Sequence, residues 1–254
     1  MKSEIKGYIF DMDGVVWDGD VPIPHASERI NGLMAAGKKV MFLSNNSMRS
    51  RTSYVMRLKE FGITAKKESI VISSYAAGIY MMERKGPSKV YALGTGDMKD
   101  EVKEAGHTIV EQGADFVVIG LDKTLNYERM DKAFRNLKNG AELIACAPDL
   151  TFLDRGEIHI GSGAFAKALE TASGSRLTII GKPSKLIMGI TKGLMGLKPS
   201  ECIVVGDKLN TEILAGNREG MKTALVLTGE TKLEDVKRSE IKPDYVIKDL
   251  RELP

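Results

Sequence analysis

The sequence predicts an α/β protein built on mostly parallel sheets. Short apolar runs rich in Val, Ile, Leu and Phe recur along the chain. They are continuous rather than alternating, and longer amphipathic segments separate them. Continuous hydrophobicity is what a strand covered on both faces needs, and a strand–helix–strand rhythm implies parallel sheets with helical crossovers. In order, the runs are GYIFD (7–11), KVMFLS (39–44), SIVIS (69–73), KVYALG (89–94), DFVVIG (115–120), ELIACA (142–147), EIHIG (157–161), LTIIG (177–181), CIVVGD (202–207), TALVLTG (223–229) and DYVI (244–247). That is many strands for one open sheet, so two sheets are expected. Helical patterns lie between them: HASERINGLMAAG, SRTSYVMRLKEFG, YERMDKAFRNLKNG and KLIMGITKGLMG. Several close on Gly, as helix C-termini often do.

The bulk properties narrow the class. A chain of 254 residues is long enough for one large domain or two modest ones. The formal net charge is +3, with Lys and Arg spread along the chain. That balance argues against a nucleic-acid partner and suits an anionic substrate. Cys146 and Cys202 each sit inside an apolar run, so two buried thiols in a reducing cytoplasm are expected rather than a disulfide. No run approaches the ~18 apolar residues of a membrane span. The opening MKSEIKGYIFDMDG has charges on both sides of a very short apolar stretch and no small-residue cleavage site. A soluble, cytoplasmic protein without a signal peptide or membrane partner is therefore expected.

In open α/β sheets ligands bind beyond the carboxyl ends of the strands, so the residues at each tip carry the functional information. The first strand delivers Asp11-Met12-Asp13-Gly14 and the second Ser44-Asn45-Asn46-Ser47. Two late strands deliver Gly181-Lys182-Pro183 and Gly206-Asp207, with Glu212 shortly after. Neighbouring carboxylates repel unless a cation neutralises them, and hard oxygen donors favour Mg²⁺. A lysine with hydroxyl and amide donors suits the remaining oxygens of a phosphate. A metal and phosphate site follows, with acids left for covalent and proton-transfer work. A lone DxD is weak, because acidic pairs also serve as caps and turns. All four groups in this order, each after an apolar run, is a strong signal.

The set resembles the haloacid dehalogenase superfamily. DMDGVVW matches its first motif, FLSNN the second, GKP the lysine motif and VVGDKLNTE the fourth. Few residues separate the first two motifs, whereas the stretch from Ser44 to Lys182 has room for a whole α/β insert. That placement is similar to the branch of NagD-type nucleotidases and 4-nitrophenylphosphatases. NNSMRSRTSYVMRLKEFGI, DFVVIGLDKTLNYERMDKA, CAPD, GSGAFAKALETASG, GKPSKLIMGI and LVLTGET extend the likeness along nearly the whole chain. The resemblance implies a Rossmann-like core with a parallel sheet over 1–74 and 179–254, and a smaller inserted α/β cap over 75–178.

It also implies a phosphate-monoester hydrolase working in two steps. Asp11 would attack phosphorus to give an aspartyl-phosphate. Asp13 would protonate the leaving oxygen and then deprotonate the attacking water. Ser44 and Asn45, with Asn46 beside them, would hold the phosphoryl group, and Lys182 would neutralise its charge. Mg²⁺ would sit on Asp11, the Asp13 carbonyl and Asp207. Some positions depart from the pattern. Glu212 stands where Asp is usual and is kept as an indirect metal contact. Asn210 replaces a frequent acid, Ser44 a usual Thr, and His25 a common Gly. His25 is read as a helix-start residue, with a lid contact to substrate as the alternative.

Other features have plainer readings. Gly94 and Gly96 mimic part of a dinucleotide fingerprint, but the third glycine is missing and a turn is expected. His107 and His159 are read as surface or structural residues, and the thirteen methionines as core filler. Arg49 and Arg51 would attract an anionic substrate or lie on a solvated face. Asp149 and Leu150, with Gly161-Ser162-Gly163, are candidates for facing the substrate from the cap, or for structural turns. The substrate class is a small phosphorylated metabolite: a nucleotide, sugar, glycerol or glycolate phosphate, with 4-nitrophenyl phosphate as an artificial one. Any self-association is expected as a homodimer through the cap. Two other functions remain open, a phosphomutase and a non-enzymatic phospho-acceptor module. Mutases of this type carry their cap between the first two motifs, and Asp13 would hydrolyse a signalling phosphate quickly.

Overall fold

The computed structural model describes residues 4–154 and 157–254. The chain forms two compact units. One comprises Met1–Ser44, Thr52–Val71 and Met188–Pro254; the other comprises Asn45–Arg51 and Ile72–Ile187. These limits differ from 75 and 178 at both edges, and they place the Asn45 and Lys182 segments in the second unit.

The first unit carries a six-stranded sheet in the order Tyr245–Ile247, Lys222–Val226, Cys202–Gly206, Gly7–Phe10, Lys39–Ser44, Ile70–Ile72. Gly7–Phe10 is central, parallel to Cys202–Gly206 on one side and to Lys39–Ser44 on the other. Every residue of Gly7–Phe10, Cys202–Gly206 and Ile70–Ile72 is buried, as runs apolar on both faces require. The register pairs Phe10 with Val205 and with Phe42. Asp11, Ser44 and Asp207 therefore leave the sheet at one edge, and the Asp11 N–H still bonds to the Val205 carbonyl at 2.9 Å. Helix Ala26–Ala35 buries Ala26, Ile30 and Leu33, spaced to lie along one face. A short antiparallel hairpin, Trp17–Asp18 with Val21–Pro22, follows Asp13 and is too brief for the run pattern to show.

The second unit holds a five-stranded parallel sheet ordered Leu177–Ile179, Glu142–Ala145, Phe116–Ile119, Lys89–Leu93, Thr108–Ile109. Tyr91, Leu93, Val117, Ile119, Leu137, Leu143 and Leu169 pack into its core. Helix Tyr127–Lys138 is capped by Asn126, whose side chain accepts the Arg129 N–H.

Two expectations are corrected in this unit. EIHIG is not a strand covered on both faces: Glu157–Ile160 pairs antiparallel with Thr151–Asp154, and Ile158 and Ile160 are exposed. Its apolar residues alternate with polar ones, the pattern of a hairpin open to water. ALGTGDM is not merely a turn, because a helix runs Gly96–Glu104. Its N-cap is Thr95, whose hydroxyl accepts the Met98 N–H, a start signal that the glycines obscure. Among the described residues no helix is long and apolar enough to cross a membrane.

Candidate active site

The first unit brings together Asp11, Asp207 and Glu212. One carboxylate oxygen from each lies within 4.8 Å of the others, and all three residues are buried. Three ionised carboxylates at such spacing repel by about 3–4 kcal/mol per pair at an effective dielectric near 20. A proton or a cation between them would relieve this repulsion, and hard oxygen donors fit a divalent metal. The walls are close. A β-carbon on Gly14 would fall 2.5 Å from Asp207 Oδ2, and one on Gly229 would fall 2.1 Å from it. Gly14 also adopts φ +77°, a conformation that β-carbons disfavour.

The acids are held by the main chain and by each other's neighbours. Asp207 Oδ2 accepts the Glu230 N–H at 2.8 Å. Glu212 Oε2 accepts the Thr211 hydroxyl at 2.8 Å and the Lys208 N–H at 3.2 Å. Burial pulls the Lys208 pKa down, but its bond to Glu230 and the charges of Glu230, Asp207 and Glu212 outweigh this and hold it above its ordinary value. The Thr228 hydroxyl bonds the Gly14 carbonyl at 2.7 Å, tying the loop after Asp13 to the tip of Lys222–Val226. Asn210 is exposed. Ser44, the last residue of its strand, is buried.

Asp13 is exposed, unlike the trio. Its Oδ1 accepts the Trp17 indole N–H at 2.7 Å. Motif reading gave Trp17 no role, nor Thr228, Gly229 and Glu230. The available signals were an aromatic four residues after Asp13 and a Gly at the tip of an apolar strand.

Asn45, Asn46 and Lys182 lie in the second unit. Asn45 Oδ1 accepts the Lys182 N–H at 2.6 Å, and its Nδ2 donates to the Lys182 carbonyl at 3.0 Å. Both side-chain groups of Asn45 thus shape the lysine turn, an engagement its motif did not suggest. Gly181 permits it, since a β-carbon there would meet Asn45 Oδ1 at 2.6 Å. Asn46 Oδ1 accepts the Met48 N–H at 2.9 Å and stabilises its own turn. The Lys182 side chain is almost fully buried.

The remaining candidates sort by their surroundings. Arg51 does not lie on a solvated face. It is buried, bonds Glu101 Oε2 at 2.7 Å and Glu104 Oε1 at 3.1 Å, and stacks over Tyr75. Arg49 is exposed. His107 is structural: its Nδ1 accepts the Ser88 N–H and its Nε2 lies 2.9 Å from the Gly78 carbonyl. His159 packs on Phe152. His25 precedes the first helix at φ 64°, without a side-chain capping bond. Leu150 is exposed and Asp149 half-buried, and Gly161 and Gly163 press against the backbone of Pro148–Leu150. Their N–H groups bond the Leu150 and Asp149 carbonyls, which is what structural turns do.

Apolar parallel strands that end in DxDG, Ser, GKP and GD, with three acids gathered at one sheet edge, define a phosphotransfer hydrolase. The chain belongs to the haloacid dehalogenase-like hydrolases, matching that family over residues 8–108 and again over 179–253. It is 34% identical to the acid sugar phosphatase of Staphylococcus aureus over 251 residues, which is 98% of this chain and 97% of that one. The 4-nitrophenylphosphatase of Thermotoga maritima superposes with TM-score 0.93 at 35% identity, covering 98% and 96% of the two chains. NagD from Escherichia coli K-12 does so with TM-score 0.90 at 30% identity, covering 99% of each. The protein is a phosphatase of the NagD and 4-nitrophenylphosphatase branch.

Proposed function

We propose that the protein is a Mg²⁺-dependent phosphate-monoester hydrolase that works through an aspartyl-phosphate on small phosphorylated metabolites. The observation that carries this reading is the Asp11–Asp207–Glu212 cluster, with the exposed Asp13 two residues after Asp11. Asp11 attacks phosphorus as the bond to the alcohol oxygen breaks. Asp13 gives that oxygen its proton, then takes one from the water that hydrolyses the acyl phosphate and regenerates Asp11. Ser44 supplies a hydroxyl to the phosphoryl oxygens, and Lys182, on the turn that Asn45 shapes, balances their charge. Asp11, Asp207 and the Asp13 carbonyl would hold Mg²⁺, with Glu212 beside them; the ion would neutralise the acids and the phosphate together.

The likeness to an acid sugar phosphatase puts sugar phosphates first among the substrates, ahead of nucleotide, glycerol and glycolate phosphates. A cytoplasmic location and a homodimer through residues 75–178 complete the proposal. Phosphate release from 4-nitrophenyl phosphate and from a panel of metabolite phosphates tests it. Turnover should require Mg²⁺, disappear with EDTA and vanish in Asp11→Asn. Wild type indistinguishable from Asp11→Asn on every substrate sinks the reading.

A further inference from the structure

We propose that Trp17 is a positioning residue: its indole N–H holds the Asp13 carboxylate in the orientation that protonates the leaving oxygen. The inference deepens the hydrolase reading above and rests on it. An exposed aspartate on a loop would ordinarily sample several rotamers, and a general acid must point at the oxygen it serves. Asp13 does not have that freedom, because Oδ1 accepts the Trp17 Nε1–H at 2.7 Å. The bond occupies Oδ1 and leaves Oδ2 for the proton.

The indole itself is fixed from every side. It is fully buried, stacked on Tyr54 at 6.1 Å with the planes 12° apart, and tilted against Phe61 at 5.7 Å. The Arg57 guanidinium lies over it at 4.6 Å and bonds the Gly19 carbonyl and Asp20 in the hairpin that carries Trp17. The backbone closes the same loop. The Gly14 N–H bonds the Trp17 carbonyl at 2.7 Å, and the Val15, Val16 and Trp17 N–H groups converge on the Met12 carbonyl. A core this closely packed around one polar atom directs that atom at its partner, and the partner is Asp13.

Leaving-group chemistry provides the test. 4-Nitrophenolate departs without help from an acid, whereas a sugar or glycerol alkoxide needs a proton. Trp17→Phe keeps a ring and loses the N–H. It should lower kcat/KM on an alkyl phosphate by on the order of 10- to 100-fold, part of the 10²–10⁴ that general acid–base catalysis supplies. On 4-nitrophenyl phosphate kcat/KM, which ends at departure of the leaving group and so excludes the later step in which Asp13 takes a proton from water, should change by less than about threefold. Placed in an Asp13→Ala background, Trp17→Phe should cost nothing further, because a residue acting through Asp13 has no partner left.

Trp17 is the only tryptophan in the chain. Biosynthetic replacement by β-(3-benzothienyl)alanine, in which sulfur stands for the N–H, repeats the test with the shape preserved should the phenylalanine variant fold poorly. Equal losses of kcat/KM on both substrates, additivity with Asp13→Ala, or full activity of the sulfur isostere on alkyl phosphates would overturn the role of Trp17 and leave the hydrolase reading intact. Wild-type turnover that survives Asp11→Asn would overturn both.

Discussion

Gly229→Ala isolates the geometry of the acidic cluster from its chemistry. The change adds one methyl group and leaves every carboxylate in place. A β-carbon at this position would lie 2.1 Å from Asp207 Oδ2, 2.5 Å from its Cβ and 2.6 Å from its Cγ, while contacts under 3.0 Å essentially never occur. Going from 2.1 to at least 3.0 Å requires a displacement near 0.9 Å, and the neighbour is a carboxylate already held by the Glu230 N–H. Metal–oxygen distances tolerate only about 0.2 Å, and misplacing a catalytic geometry by 1 Å can cost about 10²-fold. We expect kcat/KM to fall by on the order of 10²-fold and the Mg²⁺ concentration for half activation to rise, with the fold retained. Overpacking of this kind costs about 1–3 kcal/mol. Gly32→Ala is the control: its β-carbon would meet nothing within 4 Å, and it lies inside helix Ala26–Ala35. The assay is 4-nitrophenol release across a Mg²⁺ titration, with melting curves to confirm folding. A Gly229→Ala enzyme with wild-type kcat/KM and Mg²⁺ midpoint refutes the assignment of Asp207 to the metal.

Three other outcomes follow from side chains outside the cluster. Arg51→Ala strands Glu101, whose side chain is 1% exposed, and should destabilise the fold by about 3–5 kcal/mol in urea titration. KM should stay within about twofold, and a raised KM with unchanged stability would restore Arg51 as a substrate anchor. Burial pushes the Cys146 thiol up to about 12 against the Ser73 and Ser47 hydroxyls, which pull it down. It should not react with a disulfide reagent at pH 8 until the protein is unfolded, and rapid modification of the native state would contradict its placement. Burial raises the Asp122 carboxyl, but the Thr124 hydroxyl and N–H and the Arg129 guanidinium outweigh it and hold it below the ordinary aspartate range. The native pKa lies below the unfolded one, so the stabilisation is complete above the unfolded value and is lost as pH falls through the native value. Unfolding free energy should be flat above about pH 5 and decline below it, less steeply in Asp122→Asn. Identical slopes would rule the contribution out.

What could be read in advance was whatever depends on residue type and order. Continuous apolar runs gave both parallel sheets, because burial on two faces leaves no room for polar alternation. The acids at 11, 13, 207 and 212 were visible because each follows such a run. What escaped was whatever depends on a side chain's partner. Arg51 beside the second motif looks like an anion trap until Glu101 is found against it. Asn45 reads by its motif as a phosphate donor, and the fold adds that its side-chain oxygen and nitrogen both bond the Lys182 backbone. Those partners lie 50 and 137 residues away. No local pattern encodes such a pairing, because it is set by how two distant segments meet after folding.

Glu212 shows how a departure from a motif is absorbed by its surroundings. The side chain is one methylene longer than the usual aspartate, and the extra length has to go somewhere. Two features accommodate it. The turn Leu209–Ile213 is wound wide, with the Ile213 N–H bonding the Lys208 carbonyl five residues back. Such wide turns recur at functional sites because they re-aim one side chain without breaking the helix that follows. The strand tip beneath offers Gly206, where a β-carbon would lie 2.2 Å from Glu212 Cγ and 2.3 Å from its Cβ. The glutamate therefore lies folded across a position that has no side chain, and its carboxylate returns to the reach of Asp11 and Asp207. Length and glycine compensate for each other, so the acid at 212 belongs with the other two despite its extra carbon.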